Sequence, residues 1–125
     1  MRLLLDTHVL LWTLEDPSKL RVAAREAIKD WENQVLVSAA SVWELAIKAA
    51  AGRLKPPESL ESGLENQGFA PLAISVAHAL AAGALPRHHG DPFDRMLVAQ
   101  AQLEGLTIVT RDPDIPRYGV ATFAA

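Results

Sequence analysis

The sequence predicts an α/β fold in which helices cover both faces of a parallel β-sheet. Short runs rich in Val, Ile and Leu alternate with longer stretches whose apolar residues recur at helical spacing. The links between these segments are short. Strands that alternate with helices pair in parallel, because each helix carries the chain back across the sheet. Such strands are buried on both faces, which agrees with runs that are apolar throughout.

Five short segments have the composition of strands. The first consists mainly of leucine and stops at Asp6, and the third contains Pro71. Because proline has no backbone N–H to donate, we expect the third strand to lie at an edge of the sheet. The predicted strands span residues 2–5, 35–37, 69–74, 106–109 and 120–123.

Six segments have helical periodicity. Ser38 or Ser41 can cap the third helix, Gly83 is expected to end the fifth, and Asp91 with the following proline is typical of a helix start. Two prolines at 56–57 indicate a loop, and a turn is expected at 113–116. The predicted helices span residues 9–14, 20–31, 39–51, 58–66, 75–82 and 91–103.

Composition narrows the class of protein. The chain has 125 residues and is expected to form one domain over 1–125, because two domains would each be too small to bury a good core. A hydrophobic fraction of 50% excludes bulk disorder, and the absence of cysteine excludes a disulfide scaffold and a thiolate metal site. With no long apolar run and no signal sequence, we expect a soluble cytoplasmic protein without a membrane partner.

Carboxylates follow the predicted strands, either directly or in the next helix. In open α/β sheets the functional site lies beyond the carboxyl ends of the strands, so these acids are expected to converge at one edge. Unpaired carboxylates at such short distances repel one another, and Mg²⁺ or Mn²⁺ would remove that cost because both prefer oxygen ligands. Two ions about 3.5–4 Å apart could hold the attacking and leaving oxygens of a phosphodiester. The acids are Asp6, Glu44, Asp91, Asp94 and Asp112.

Each acid also has a structural explanation. Asp6 and Asp91 could cap helices, Asp94 could favour the positive end of a helix, and Asp112 could start a turn. Glu44 has the i,i+4 spacing of an ion pair with the lysine at position 48. However, the helix over 39–51 is otherwise so apolar that we expect most of it to be buried. The joint pattern is more specific than any single acid, because unrelated caps need not fall on one side of a sheet.

Four segments resemble the PIN-domain ribonucleases of the VapC toxin type. They are LLLDTHVLLW, VSAASVWELAIKAAAGRL, HHGDPFDRMLVAQA and LTIVTRD, in the expected order, and the resemblance runs from residue 2 to about 120. The Asp-Pro-Phe-Asp-Arg block is its most specific part. The resemblance implies a PIN-like three-layer α/β/α sandwich with a central, mainly parallel sheet. It also implies Mg²⁺- or Mn²⁺-dependent RNA cleavage, a VapB-like antitoxin and frequent homodimers.

By this resemblance, the catalytic and metal-binding residues are Asp6, Glu44, Asp94 and Asp112. Asp91 matches the first acid of the specific block and is a possible further ligand. The reaction expected is hydrolysis of RNA phosphodiester bonds by metal-activated water, which would leave a 5′-phosphate and a 3′-hydroxyl. No constellation of cysteine, lysine or histidine suggests a covalent route.

Three other residues near the acids could contact substrate or orient the site. Thr7 and Thr110 could position a carboxylate or a water through their hydroxyls, or simply stand in a helix turn and a strand end. Arg95 could contact phosphate, or it could pair with a neighbouring acid, which we favour slightly.

The four histidines are expected to stay outside the metal site. His8, His88 and His89 have no spacing that builds a zinc site, and oxygen ligands dominate around them. His89 is expected to form hydrogen bonds within its loop. His78 lies in a helical segment and is expected to be structural.

Tryptophans and basic residues give weaker signals. Trp12, Trp31 and Trp43 fall at apolar helical positions, so packing in the core or a subunit interface is favoured over base stacking. Without the five acids, ten acids remain against twelve bases, so the net charge of −3 neither excludes nor supports an RNA substrate. A scattered surface or a rim that contacts phosphate would explain Arg53, Lys55, Arg87, Arg111 and Arg117.

An antitoxin is expected to bind in a groove beside Asp6 and Glu44 and to stop cleavage. VapB-type antitoxins insert a segment with Arg or Lys near the site, and such a cation can pair with the carboxylates in place of metal. The early helices offer the apolar surface for the rest of that segment. The candidate residues are Val9, Leu10, Trp12 and Trp43.

Other functions fit the sequence less well. A phosphatase of the haloacid-dehalogenase type needs a second Asp two residues after the first, where this chain has His8. No Gly-x-Gly-x-x-Gly follows the first strand, which argues against a dinucleotide-binding domain. The acids are too dispersed for a response-regulator-like module. A non-catalytic PIN-like module that binds RNA or protein remains the alternative, and the complete set of acids argues against it.

Overall fold

A five-stranded parallel sheet forms the centre of the computed structural model, which describes residues 1–54 and 60–125. The strand order is β3-β2-β1-β4-β5, and every neighbouring pair is parallel. All five strands therefore end at the same edge, with β1 in the middle. The strands are β1 (Arg2–Leu5), β2 (Gln34–Ser38), β3 (Ala70–Leu72), β4 (Thr107–Thr110) and β5 (Thr122–Ala124).

Helices connect the strands and cover both faces of the sheet. Ser38 caps α3 by accepting a hydrogen bond from the backbone N–H of Ala40 at 3.0 Å. Two short 3₁₀ helices cover Pro17–Lys19 and Ile115–Tyr118. The α-helices are α1 (Thr7–Glu15), α2 (Val22–Lys29), α3 (Ala39–Ala50), α4 (Leu60–Gln67), α5 (Val76–Ala84) and α6 (Pro92–Glu104).

The alternation of side chains along the strands divides the core into two layers. Leu3 and Leu5 of β1 face α1, α2 and α3, and this layer is closed by residues such as Leu10 and Leu45. Leu4 faces the opposite way and packs with Leu97 of α6 and its neighbours. The predicted α/β/α arrangement with a parallel sheet is therefore confirmed, and β3 lies at an edge as its proline indicated.

Two local predictions are wrong, and one is narrowed. The helix predicted over 20–31 ends at Lys29, because the Asp30 carboxylate accepts the backbone N–H of Glu32 at 2.9 Å and turns the chain. Trp31 is therefore 99% exposed and packs in no core of this chain. The third helix is not mostly buried, since Trp43 and Ile47 face outward.

Gly83 does not end the fifth helix, which continues to Ala84. The Arg95 guanidinium, from α6, donates to the backbone carbonyls of Ala82, Leu85 and Pro86 at 2.9–3.1 Å. A side chain from a neighbouring helix thus satisfies the carbonyls at this terminus, so no glycine is needed there.

Some predictions fall on residues outside the description. The proline loop at 56–57, the first two residues of the helix predicted over 58–66, and Lys55 all lie in the gap between 54 and 60. Within the described ranges, no helix has the length and apolar character needed to span a membrane.

Candidate active site

The acids predicted from the sequence line one pocket at the carboxyl edge of the sheet. The pocket has a volume of about 360 Å³, and its lining includes residues distant in sequence, from Asp6 to Asp112. Asp6 follows the central strand, Glu44 lies one turn into α3, and Asp112 follows β4. Asp91 and Asp94 come from the start of α6. The expected convergence of the five carboxylates is therefore observed.

Asp6 lies deepest among the strand-end acids. It is 6% exposed, and its Oδ2 accepts a hydrogen bond of 2.6 Å from the Thr110 hydroxyl. Although Asp6 occupies the N-cap position of α1, its side chain makes no capping hydrogen bond. Burial raises the pKa of Asp6, against the hydrogen bond from Thr110, which lowers it. The carboxylate is thus held toward the pocket and away from its own helix.

Thr110 connects two of the acids. Its hydroxyl donates to Asp6 and accepts the backbone N–H of Asp112 at 3.0 Å. Asp112 in turn accepts the backbone N–H of Asp114 at 2.8 Å, as expected for an acid that starts a turn. One of its oxygens is therefore committed to the loop.

Asp94 has the most perturbed proton affinity in the pocket. Burial is the main cause, followed by the charges of Asp6, Asp91, Asp112 and Glu44, and together they raise the pKa of Asp94 to about 8. At neutral pH the metal-free carboxyl is therefore largely protonated. A bound cation would relieve the repulsion between Asp94 and the neighbouring carboxylates.

Glu44 is buried and has one satisfied oxygen. Its Oε2 lies 2.9 Å from the Lys48 Nζ, so the expected i,i+4 ion pair forms, although Glu44 is not on a solvated face. Its Oε1 is buried with no hydrogen-bond partner among the described residues. A free lone pair in such a position is available to a ligand.

Asp91 acts as the cap of α6. One oxygen, Oδ1, accepts the backbone N–H groups of Phe93 at 2.9 Å and Asp94 at 3.2 Å. This is the capping arrangement that its position before a proline indicated. It fixes the first turn of the helix, which carries Asp94.

The other predicted site residues differ in their contacts. The Thr7 hydroxyl lines the pocket but donates to Ser41 at 3.1 Å, and that bond joins α1 to α3. Within the described chain, Arg95 forms no ion pair with an acid, because its guanidinium binds the carbonyls at the end of α5. The slightly favoured pairing of Arg95 with an acid is therefore wrong.

His89 is the residue whose position the sequence reasoning missed. Its Nε2 lies 3.9 Å from Asp94 Oδ2, and one ligand atom each from His89, Asp94 and Asp112 lie within 4.8 Å of one another. Neither ring nitrogen has a hydrogen-bond partner among the described residues, so the expected side-chain hydrogen bond within the loop is absent. The pair of histidines just before the specific acidic block was the only signal in the sequence.

The remaining histidines have packing roles. His8 stacks against Trp12 with ring centroids 5.9 Å apart, and His88 packs edge-on against Tyr118 at 4.7 Å. His78 is buried and completes a capping box with Ser75, so its predicted structural role is confirmed. His8 also lines the acidic pocket, but none of these three is grouped with Asp94 and Asp112 as His89 is.

Among the basic residues and tryptophans considered from the sequence, Arg111 and Trp12 line the pocket, and the others described lie elsewhere on the surface. Arg111 lies over the Trp12 ring at 4.5 Å and donates to the carbonyl of Ala125 at 3.1 Å, so its charge is fixed at the pocket wall. Trp43 is exposed and meets Phe93 edge-on. Arg53 and Arg87 are exposed on the surface, and Arg117 pairs with Asp114 at 3.3 Å.

The donor set fits a hard divalent cation. Five carboxylates share one pocket, one of them has a pKa of about 8, and a Glu44 oxygen is buried without a partner among the described residues. Mg²⁺ and Mn²⁺ prefer such oxygen ligands, so the residues present can hold either ion. Asp6, Glu44, Asp94 and Asp112 are the residues that would hold it.

Comparison with known proteins gives a consistent result. A family model described as PIN domain matches residues 3–121. Ribonuclease VapC22 of Mycobacterium tuberculosis is 35% identical over 112 residues, which cover 87% of this chain and 85% of that protein. The chain therefore belongs to the PIN domain family, as the sequence motifs predicted.

Solved structures show the same fold at lower sequence identity. VapBC2 from Rickettsia felis, bound to a promoter DNA fragment, aligns with a TM-score of 0.70 at 17% identity and covers 98% of each chain. DNA-bound VapBC from Salmonella typhimurium aligns with a TM-score of 0.69 at 18% identity, covering 98% of this chain and 97% of that one. At these identities the likeness concerns the fold alone.

Proposed function

We propose that this chain is an endoribonuclease that depends on Mg²⁺ or Mn²⁺ and is the toxin of a VapBC-type toxin–antitoxin pair in the cytoplasm. The observation that carries the proposal is the convergence of Asp6, Glu44, Asp94 and Asp112 from four separate segments in one pocket of a PIN domain. A relative at 35% identity that is named a ribonuclease supports the choice of RNA.

The divalent ions, when bound, supply a Lewis acid that activates water and offsets charge at the scissile phosphodiester. The residues of the chain then have defined tasks. Asp6 is oriented by the Thr110 hydroxyl, and Asp112 is held by a backbone N–H. Asp94 is presented by a helix turn that Asp91 caps. We assign Asp91 to this positioning role and the other acids to metal binding.

Two cations at the pocket favour an anionic substrate. Lys48 and Arg111 both line it, and the guanidinium of Arg111 is fixed over Trp12. Such fixed charges suit contact with phosphates on either side of the scissile bond. Thr7, also in the pocket, serves mainly to join α1 to α3 through Ser41.

A VapB-like antitoxin is the partner we propose, supported by the VapBC complexes among the structural neighbours. The apolar surface differs from the expected one, since Val9 and Leu10 are buried in the core. An apolar groove between α3, α4 and β3 contains the exposed Trp43 and offers the better surface. Co-purification with the product of the adjacent gene, followed by a cleavage assay of the complex, checks both binding and inhibition.

Homodimer formation is the second assembly we propose. Val76 and Leu80 lie one turn apart on α5 and are 78% and 72% exposed, and Leu103 of α6 is exposed as well. Apolar side chains of this size on neighbouring helices favour burial against a second copy. Sedimentation of the purified chain measures the oligomeric state.

The decisive test is RNA cleavage by Asp6→Asn beside a matched control. The substitution keeps the shape of the side chain but removes a negative ligand, so we expect at least a roughly 10²-fold loss of rate, about 2.7 kcal/mol of barrier. Asp114→Asn changes an acid two residues from Asp112 that pairs with Arg117 at the surface, and it should cleave normally. Cleavage is measured with Mn²⁺, and circular dichroism confirms that both variants fold.

Wild-type cleavage by Asp6→Asn would reject the assignment of the acids. If instead the wild-type chain cleaves no RNA with either metal, yet binds RNA or an antitoxin, the non-catalytic PIN-like module becomes the better description.

A further inference from the structure

His89 has a partly buried side chain, 15% exposed, that the proposed set of four acids does not use. It lies in the loop between α5 and α6, and its ring packs edge-on against Tyr118 with centroids 5.6 Å apart. The same tyrosine holds the backbone of the loop, because the His89 N–H donates to the Tyr118 hydroxyl at 3.3 Å. Tyr118 therefore restricts both the position of the loop and the orientation of the His89 ring.

Both ring nitrogens of His89 lack a hydrogen-bond partner among the described residues, and both are buried. The nearest acid oxygen, Asp94 Oδ2, lies 3.9 Å from Nε2, which is beyond hydrogen-bond distance. A buried imidazole that makes no hydrogen bond carries an uncompensated desolvation cost. A ligand between the ring and the acids would remove that cost.

The spacing suits a metal ion. One ligand atom each from His89, Asp94 and Asp112 lie within 4.8 Å of one another. Two ligands on opposite sides of an ion at about 2.1 Å are separated by about 4.2 Å. Small rotations of these side chains would therefore bring all three atoms into coordination distance. His88 packs on the same tyrosine but is not part of this group.

We propose that His89 is a nitrogen ligand which, with Asp94 and Asp112, completes a site for a divalent transition metal ion in preference to Mg²⁺. The inference rests on the proposed function, because Asp94 and Asp112 line the acidic pocket and His89 approaches them from beside it. Imidazole nitrogen binds transition metals well, whereas Mg²⁺ takes oxygen ligands and retains waters. The contribution of His89 to affinity therefore increases in the order Mg²⁺, Mn²⁺, Co²⁺.

The test measures binding of each metal alone to the purified, chelator-treated full chain. Calorimetry with Mn²⁺ should show affinity reduced at least roughly 10- to 100-fold in His89→Ala and His89→Gln, because replacing even the residues that orient a metal ligand has an effect of that size. Affinity for Mg²⁺ should change less than twofold in both variants, and Co²⁺ should lose more than Mn²⁺. His88→Ala is the matched control and should bind all three ions normally. Asp94→Asn should weaken all three.

Pulsed electron paramagnetic resonance of bound Mn²⁺ gives a direct readout. The wild-type chain and His88→Ala should show coupling to a directly bound imidazole nitrogen, and His89→Gln should not. Circular dichroism identifies folded variants, and His89→Gln keeps the proposal testable if the alanine variant unfolds. Normal Mn²⁺ affinity in His89→Gln, or a wild-type spectrum without nitrogen coupling, overturns the proposal.

RNA cleavage is measured separately, so the two proposals can fail independently. Cleavage by a wild-type chain without nitrogen coupling rejects the His89 ligand and leaves the nuclease. Nitrogen coupling in a chain that cleaves no RNA rejects the nuclease and supports the metal site.

Discussion

Two histidines, each beside an acid and each close to α6, have opposite hydrogen-bonding environments. His78 is 3% exposed, its Nδ1 accepts the backbone N–H of Ser75 at 3.0 Å, and its Nε2 lies 2.9 Å from a Glu104 carboxylate oxygen. His89 has neither contact, although Asp94 is within 4 Å. The end of α6 near Glu104 is thus closed by the protein itself, whereas the end near Asp94 is left open.

The difference separates structural polar groups from those available to a ligand. Four buried side-chain atoms in the described part of the chain lack a hydrogen-bond partner, and three of them belong to Glu44 and His89 at the acidic site. Proteins rarely leave buried polar atoms unpaired without a functional reason. The unpaired oxygen of Glu44 and the raised pKa of Asp94 therefore occur in the same pocket, which agrees with the cation site proposed there.

The largest expected effect is the dependence of stability on pH at the open end. The pKa of Asp94 is about 8 in the folded chain, against an ordinary value of 3.8, so between these values the folded state holds a proton that the unfolded state has released. The free energy of unfolding of the metal-free chain should therefore fall as pH rises from about 4 to about 8, and level off above that. The raised pKa of Asp6 acts in the same direction.

Urea unfolding in chelator at a series of pH values measures this slope. Asp94→Asn removes the titrating group and should flatten the slope, while Asp114→Asn should preserve it. If the slope is unchanged in Asp94→Asn, Asp94 is not the group that makes stability depend on pH. The two ends of α6 would then not differ in their electrostatics.

The next effect compares the two histidines directly. His78→Ala should lower the free energy of unfolding by about 2–3 kcal/mol, because it removes half of a capping box, empties a buried site and takes a partner from the buried Gln100 amide. His89→Ala in the metal-free chain loses only its edge-on packing against Tyr118, about 1 kcal/mol or less. Thermal or urea unfolding in chelator measures both. Equal losses would show that His89 is as structural as His78.

The sequence predicted the fold and the location of the acids for a physical reason. Parallel strands buried on both faces are continuously apolar, so the leucines of β1 and the valines of β2 identify their strands directly. Because such strands end at one edge, the acids that directly follow them converge regardless of the conformation of the loops. Asp6 and Asp112 could be placed by this rule alone.

The sequence could not place side chains whose partners are set by packing between distant segments. Arg95 was expected to pair with an acid, yet the end of α5 lies beside α6 and its carbonyls attract the guanidinium. His88 and His89 are adjacent and both pack against Tyr118, yet His89 is the one whose ring lies 3.9 Å from Asp94. Trp31 lies outside the core because a local turn at Asp30 ends the helix early.

The smallest expected effect, and the sharpest test of roles within the acidic group, comes from Asp91→Asn. The Asp91 Oδ1 caps α6 by accepting two backbone N–H groups, and the Asn side-chain oxygen can accept the same bonds. We therefore expect stability within about 0.5 kcal/mol of wild type, since Asn and Asp are similar caps, whereas Asp91→Ala should cost about 1 kcal/mol. Calorimetry with Mn²⁺ should show near-normal affinity for Asp91→Asn. If Asp91→Asn instead loses as much Mn²⁺ affinity as Asp94→Asn, Asp91 is itself a ligand. In that case, the N-terminal turn of α6 would supply two acids to the ion.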